Sequence, residues 1–207
     1  NTLTYNKTIN KDHTINILGG ITFQGSDYHR YGVSANHLPN ESLGLSGLDE
    51  GIPVKVTAIN SEWSLMSFLS RVNYNYKGRY LLTGSFRADG SSKFRADNRW
   101  SYFPSAAFAW RAINEDFLKK STVFSDAKLR MSWGITGNNR VSDYASYARL
   151  SFDNTSGVYN AYYAFNNSLQ QGVYPTSLAN LDLKWENTTQ SNLGVDLGFL
   201  KQRITLT

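Results

Sequence analysis

The chain has 207 residues, a formal net charge of +5 and no cysteine, which excludes a disulfide framework and a cysteine-built metal site. Its mean hydropathy of -0.42 and the lack of any unbroken apolar run of about 18 residues exclude a membrane-crossing helix. Lysine and arginine are scattered along turns and polar faces rather than gathered in one stripe, so no nucleic-acid partner is expected, and 13 tyrosines with only 4 prolines describe β-rich material.

Eight strands are predicted, near 2–9, 13–24, 63–76, 79–89, 102–112, 128–137, 184–199 and 203–207. From His13 to Phe23, Ile15, Ile17, Gly19, Ile21 and Phe23 fall on one face and Thr14, Asn16, Gly20 and Thr22 on the other, with Leu18 as the exception. The stretch 25–62 reads as a long loop holding Asp27, His29 and His37. Strand 63–76 alternates only partly, because Leu65 and Leu69 share a face with Arg71 and Asn73. After Lys77-Gly78 comes 79–89, then a loop over 90–101 and a strand with Pro104 near its start, where proline is tolerated. In 113–127, Asn114 or an adjacent residue is placed to cap a short helix with Glu115 and Asp116 in its first turn and Lys119 and Lys120 in its last.

The strand 128–137 sets Leu129, Met131, Trp133 and Ile135 against Lys128, Arg130, Ser132, Gly134 and Thr136. After a long loop over 138–183, the last clear strand sets Leu193, Val195, Leu197 and Phe199 against Asn192, Gly194, Asp196 and Gly198. The short connections Asn10-Lys11-Asp12, Lys77-Gly78 and Lys201-Gln202 have hairpin chemistry and alternate with the long ones. Short turns on one side and long loops on the other is the polarity of an outer-membrane barrel, with the turns periplasmic and the apolar faces toward lipid. Tyr74, Tyr76, Tyr80 and Trp110 near the short turns, and Trp63, Trp100, Tyr102 and Trp185 near the long loops, read as two aromatic girdles.

Three blocks carry a family resemblance. Ser85 to Phe94, followed by Asn98 to Ser105 and Ala109-Trp110-Arg111, closely resembles the strand-loop-strand signature of SusC/RagA-type TonB-linked outer-membrane transporters. Glu115-Asp116-Phe117-Leu118 with Leu129 to Asn138 is similar to that family's next hairpin, and Leu183 to Gln190 with Asn192 to Gly198 to its late-barrel signature. The resemblance implies an all-β fold in which 1–207 is part of a TonB-dependent receptor β-barrel domain, about eight antiparallel transmembrane strands of a larger barrel of about 22. It implies import of oligosaccharide or oligopeptide, a SusD-like surface lipoprotein as partner, and coupling to TonB through a part not in this chain. The chain opens and closes inside strands, without a signal peptide or a plug, and reads as an internal piece of a longer protein.

Candidate contacts follow from residue chemistry. Arg87 and Asp89 fall at the outer end of their strand on the polar face, with Lys93, Arg95 and Asp97 placed to extend the pair. The run Tyr159, Tyr162, Tyr163 and Phe165 interleaves rings with amides, suited to ligand or to a lipoprotein lid. His13, His29 and His37 lie far from any triad spacing, so neither an enzyme, nor a metal site, nor a cofactor is expected. Two other readings stay open: a soluble carbohydrate-binding β-sandwich, and an outer-membrane receptor or adhesion barrel without transport.

Overall fold

The computed structural model describes residues 1–152 and 162–207. Eight strands form one sheet in which every strand neighbours the next in sequence: β1 Thr2–Ile9, β2 His13–Asn36, β3 Ile52–Tyr76, β4 Tyr80–Ser91, β5 Trp100–Trp110, β6 Phe124–Asn138 and, after a long excursion, β11 Glu186–Phe199 and β12 Ile204–Leu206. Within the excursion, β7 Arg149–Phe152 pairs with β10 Val173–Ser177, and β8 Tyr162–Phe165 pairs with β9 Ser168–Gln171.

The turns explain the up-and-down order. Asn10 and Lys11, then Lys77 and Gly78, all have positive φ, as a type I′ turn requires of both central residues, and that turn matches the twist of the strands it joins. Asn166 and Asn167 repeat the geometry between β8 and β9. Each tight turn fixes the register of its hairpin: Tyr76 opposes Tyr80, so Ser67 opposes Asp89.

Register then sorts the side chains. Across one face, Leu82, Phe108, Met131 and Leu193 stand opposite one another on β4, β5, β6 and β11. On the other face Thr83, Ala107, Ser132 and Asn192 form the adjacent row. The apolar face is uncovered: Leu193 is 72% exposed and Phe108's neighbour Leu82 is 54% exposed. The chain exposes 15400 Å², against about 9,700 Å² for a compact soluble monomer of its mass. A sandwich would bury one face of each of two sheets; here the apolar face of one large sheet is left open.

The small core lies on the polar side, at the long-loop end. Phe94, Phe103 and Trp185 are buried together, with Leu65, Ile135, Val141 and Leu183 packed around them. The Trp185 ring lies tilted against Phe94 and edge-on to Phe103, and its Nε1–H donates to the Arg99 carbonyl at 3.0 Å. This explains the mixed face of β3, since Leu65 serves the core. The β5–β6 ladder ends at Ser105 opposite Gly134, beside Pro104, which has no N–H to offer.

Three sequence expectations are corrected. First, 25–62 is mostly strand: β2 runs on to Asn36 and β3 starts at Ile52. Gln24–Ser64 is a compact unit of its own, distinct from Asn1–Phe23 with Leu65–Thr207. In it His29 contacts Asp27 at 3.1 Å and Asn60 at 2.9 Å. Its tip, Glu41–Glu50, is 3-10 helix broken at Gly44, with Asn40 capping Ser42 N at 3.0 Å. Second, 113–127 holds no regular helix: a 3-10 turn at Ala112–Asn114 is followed by an extended Glu115 and turns over 116–120, and β6 begins at Phe124. Third, Trp185 belongs to the core and not to a girdle.

Candidate functional site

The polar face is built by side chains that bond across strands. Asn16 donates to Asn6, Asn73 donates to Asn16 at 3.0 Å, and Thr83 donates to Asn73 at 2.9 Å, an amide ladder from β1 to β4. The Ser85 and Ser105 hydroxyls continue it at 2.7 Å into β5. Farther along, Arg130 meets Asp196 at 2.6 Å, with Lys128 at 3.7 Å from the same carboxylate. Each polar group finds a partner on the next strand because the register puts like positions side by side.

Arg87 and Asp89 are brought together as their spacing suggests. Arg87 Nε donates to both Asp89 oxygens, at 2.7 and 2.8 Å, and Nη2 donates to the buried Ser67 hydroxyl at 3.1 Å. Asp89 is buried while the Arg87 side chain is 47% exposed. The pair therefore braces β3 against β4 and still presents a guanidinium edge. Ser67 was not singled out in the sequence: a two-residue turn at Lys77-Gly78 would set it opposite Ala88, and the third connecting residue, Arg79, is what brings it opposite Asp89. Lys93 does not extend the pair: it reaches Asp143 at 3.2 Å and the Val141 carbonyl at 3.1 Å, tying the β4–β5 loop to the excursion. Arg95 and Asp97 are exposed, and no ion pair joins them to Arg87 or Asp89 among the described residues.

Beside this pair lies an open cleft of about 610 Å³, lined by Arg87, Ser105, Ser132, Thr136, Gln190 and Asn192 together with Phe103 and Trp185. Hydroxyls, amides and one compensated ion pair suit hydrogen bonding to a polar ligand rather than chemistry on it. Of the loop aromatics, Tyr162, Tyr163 and Phe165 stand on the separate β8–β9 hairpin, Tyr163 and Phe165 on one face and Tyr162 on the other. Tyr159 lies outside the described residues. Among the described residues no three metal-binding side chains come together.

The short-turn end has its own cluster. Glu115 accepts from Arg79 at 2.8 Å, from the Tyr80 hydroxyl at 2.8 Å and from Trp110 Nε1 at 3.2 Å. The bonds from Tyr80 and Trp110, with Arg79 adding, hold its carboxyl below the usual carboxylate range. His13 Nδ1 lies 2.7 Å from the Tyr74 hydroxyl, and the His13, Tyr76 and Tyr80 rings follow one another across the strands. At the other end of the apolar face, Trp100 stacks on Phe68 and Tyr102 on Phe86. Aromatic rows thus bound the apolar face above and below, as two bilayer interfaces select.

No protein-family model matches the chain. The TonB-dependent receptor SusC of Bacteroides thetaiotaomicron is 44% identical over 149 residues, 72% of this chain and 14% of that protein. The TonB-dependent receptor P3 of Formosa agariphila is 33% identical over all 207 residues, which make up 20% of its length. The RagAB peptide transporter superposes with a TM-score of 0.82 at 27% identity, over 99% of this chain and 22% of that one. The chain belongs to the SusC/RagA family of TonB-dependent receptors. It spans about a fifth of the length of the curated relatives it matches. In that family's barrel the apolar face of the sheet is the lipid side and the polar face, with its cleft, is the lumen side.

Proposed function

We propose that the intact protein imports an oligomeric nutrient, oligosaccharide or oligopeptide, across the outer membrane, with 1–207 forming part of its barrel wall. The observation that carries this reading is the amide and hydroxyl ladder on the lumen face beside the cleft at Arg87, which offers a moving polar ligand many exchangeable hydrogen-bond partners. Its likeness to a SusC receptor and to a peptide transporter supports the same reading. A SusD-like lipoprotein is the partner we assign to the long-loop side, and TonB supplies the energy through another part of the protein.

Arg87 and Asp89 are the lumen contacts in this reading. Tyr159, Tyr162, Tyr163 and Phe165 are the candidates for contact with ligand or lid. The test compares two variants in the native host: alanine at all four aromatic positions, and leucine at both Gln190 and Asn192. Each should assemble at the parental level. Growth on the oligomeric nutrient should slow several-fold in at least one, and loss of lipoprotein co-purification in the first would assign its aromatics to the lid. Parental growth by both variants, with the lipoprotein still bound, would contradict the assignment of these faces to transport.

A further inference from the structure

The charges that lie scattered along the sequence are gathered by the fold. The four connections on the short-turn side, 10–12, 77–79, 111–123 and 200–203, hold eight lysines and arginines against three acids, a net of +5; the rest of the chain carries thirteen of each sign. The whole net charge of these 207 residues therefore sits on one rim. That rim is continuous. Lys77 N donates to the Asp12 carbonyl at 2.7 Å, Arg111 N to the Arg79 carbonyl at 2.7 Å, and Asn114 to the Gly78 carbonyl at 2.7 Å. At the far end Leu200 N donates to the Val123 carbonyl at 3.3 Å and Gln202 N to Ser125 Oγ at 2.9 Å.

Only two of the eight cations are committed. Arg79 is held by Glu115 and Asp116, and Lys77 by Asp12 at 3.6 Å. Lys11, Arg111, Lys119, Lys120, Lys201 and Arg203 are exposed and make no ion pair among the described residues. Directly inward lies the Tyr76, Tyr80 and Trp110 row, which marks the membrane interface. Between the cations, Phe117 is 71% exposed. Uncompensated cations around an exposed ring, one strand-turn outside an aromatic girdle, is the arrangement that anionic headgroups recognise.

We propose that this rim binds anionic phospholipid headgroups, docking the periplasmic end of the barrel on the inner leaflet of the membrane it crosses. The inference rests on the sheet being membrane-spanning and is independent of what is transported. Lipid phosphates are gripped by the six free cations while Phe117 enters the headgroup layer beside them.

The test uses the full-length protein in phosphatidylcholine bilayers, with spin-labelled phosphatidylglycerol or spin-labelled phosphatidylcholine as the probe and flotation to verify insertion. The labelled phosphatidylglycerol should be immobilised in preference to phosphatidylcholine by about fivefold or more at low salt, the weight of one well-placed cation, with the preference shrinking as salt rises. Lys11→Asn, Lys119→Gln, Lys120→Gln and Lys201→Asn together should remove most of it. Glutamine at Arg95, Arg99, Arg140 and Lys184, on the long-loop side, should leave it intact. Should the first variant fail to insert, the selectivity and salt dependence of the parental protein decide alone. Equal immobilisation of the two labels, a preference that survives the rim substitutions, or one lost equally in the long-loop variant would overturn the proposal, the first result leaving the rim to an acidic periplasmic protein.

Discussion

Gly137 and Gly84 both lie within strands and meet opposite constraints. A Cβ at Gly137 would fall on the Phe103 ring, whereas one at Gly84 would meet nothing within 4 Å. Gly137→Ala should therefore push Phe103 out of the core it shares with Trp185 and cost about 1–3 kcal/mol. Gly84→Ala should be neutral or stabilise by about 0.4–1 kcal/mol through the unfolded chain. Refolding titrations in detergent separate the two; equal effects would mean that the core at the long-loop end is not tightly packed. The same register dictates a polarity test. Leu193, in the row with Leu82, Phe108 and Met131, lies away from both girdles, so Leu193→Arg should cost about 2–4 kcal/mol and Asn192→Arg, on the lumen face, much less. Val195 faces lipid too, but in the row of Leu129, Trp110 and Tyr80, where an arginine finds the interface. Comparable losses at Leu193 and Asn192 would contradict the assignment of faces. At this scale Arg87 and Asp89 were legible, because a spacing of two puts both on one face. Trp185 was not, because it precedes β11 and escapes the alternation that would have turned it toward lipid.

At the scale of elements, the tight hairpins were legible from their turn residues, and the strand extensions into 25–62 were not. Along β2 and β3 beyond Phe23 the face of Tyr31, Val33, Val54 and Val56 is interrupted by Asp27, His29 and Asn60, which bond to one another and so stay within strands while breaking the apolar rhythm. The connection 111–123 misled for a related reason: Glu115 looks like a residue of a helix's first turn, yet its carboxylate is held by Tyr80, Trp110 and Arg79. Because its folded value is lowered, Glu115 contributes stability that is complete above the ordinary carboxylate range and is lost as pH falls through the lowered value. Exchange of the Arg111 amide, bonded to the Arg79 carbonyl, should accelerate beyond its intrinsic pH trend in acid. Glu115→Gln should exchange faster at neutral pH and lack that extra acid step. Identical profiles in the two proteins would show that the carboxylate does not hold this connection.

For the whole molecule, alternation repeated over eight strands and the contrast of short and long connections made the barrel class legible, and the three family blocks made it specific. What the sequence left hidden is what only pairing creates: the amide ladder, the cleft beside Arg87 and the gathering of the net charge on one rim. The central claim is that one face of this sheet meets lipid and the other an aqueous lumen. It is tested most directly with single cysteines, each carrying a fluorophore, placed in turn at positions 191 to 197 of the full-length protein in liposomes, the chain described here having no cysteine of its own. Labels at Leu193, Val195 and Leu197 should be quenched by a bilayer-resident quencher and spared by aqueous iodide, with Asn192, Gly194 and Asp196 showing the reverse. Quenching that does not alternate, or that alternates with the opposite phase, would contradict the account.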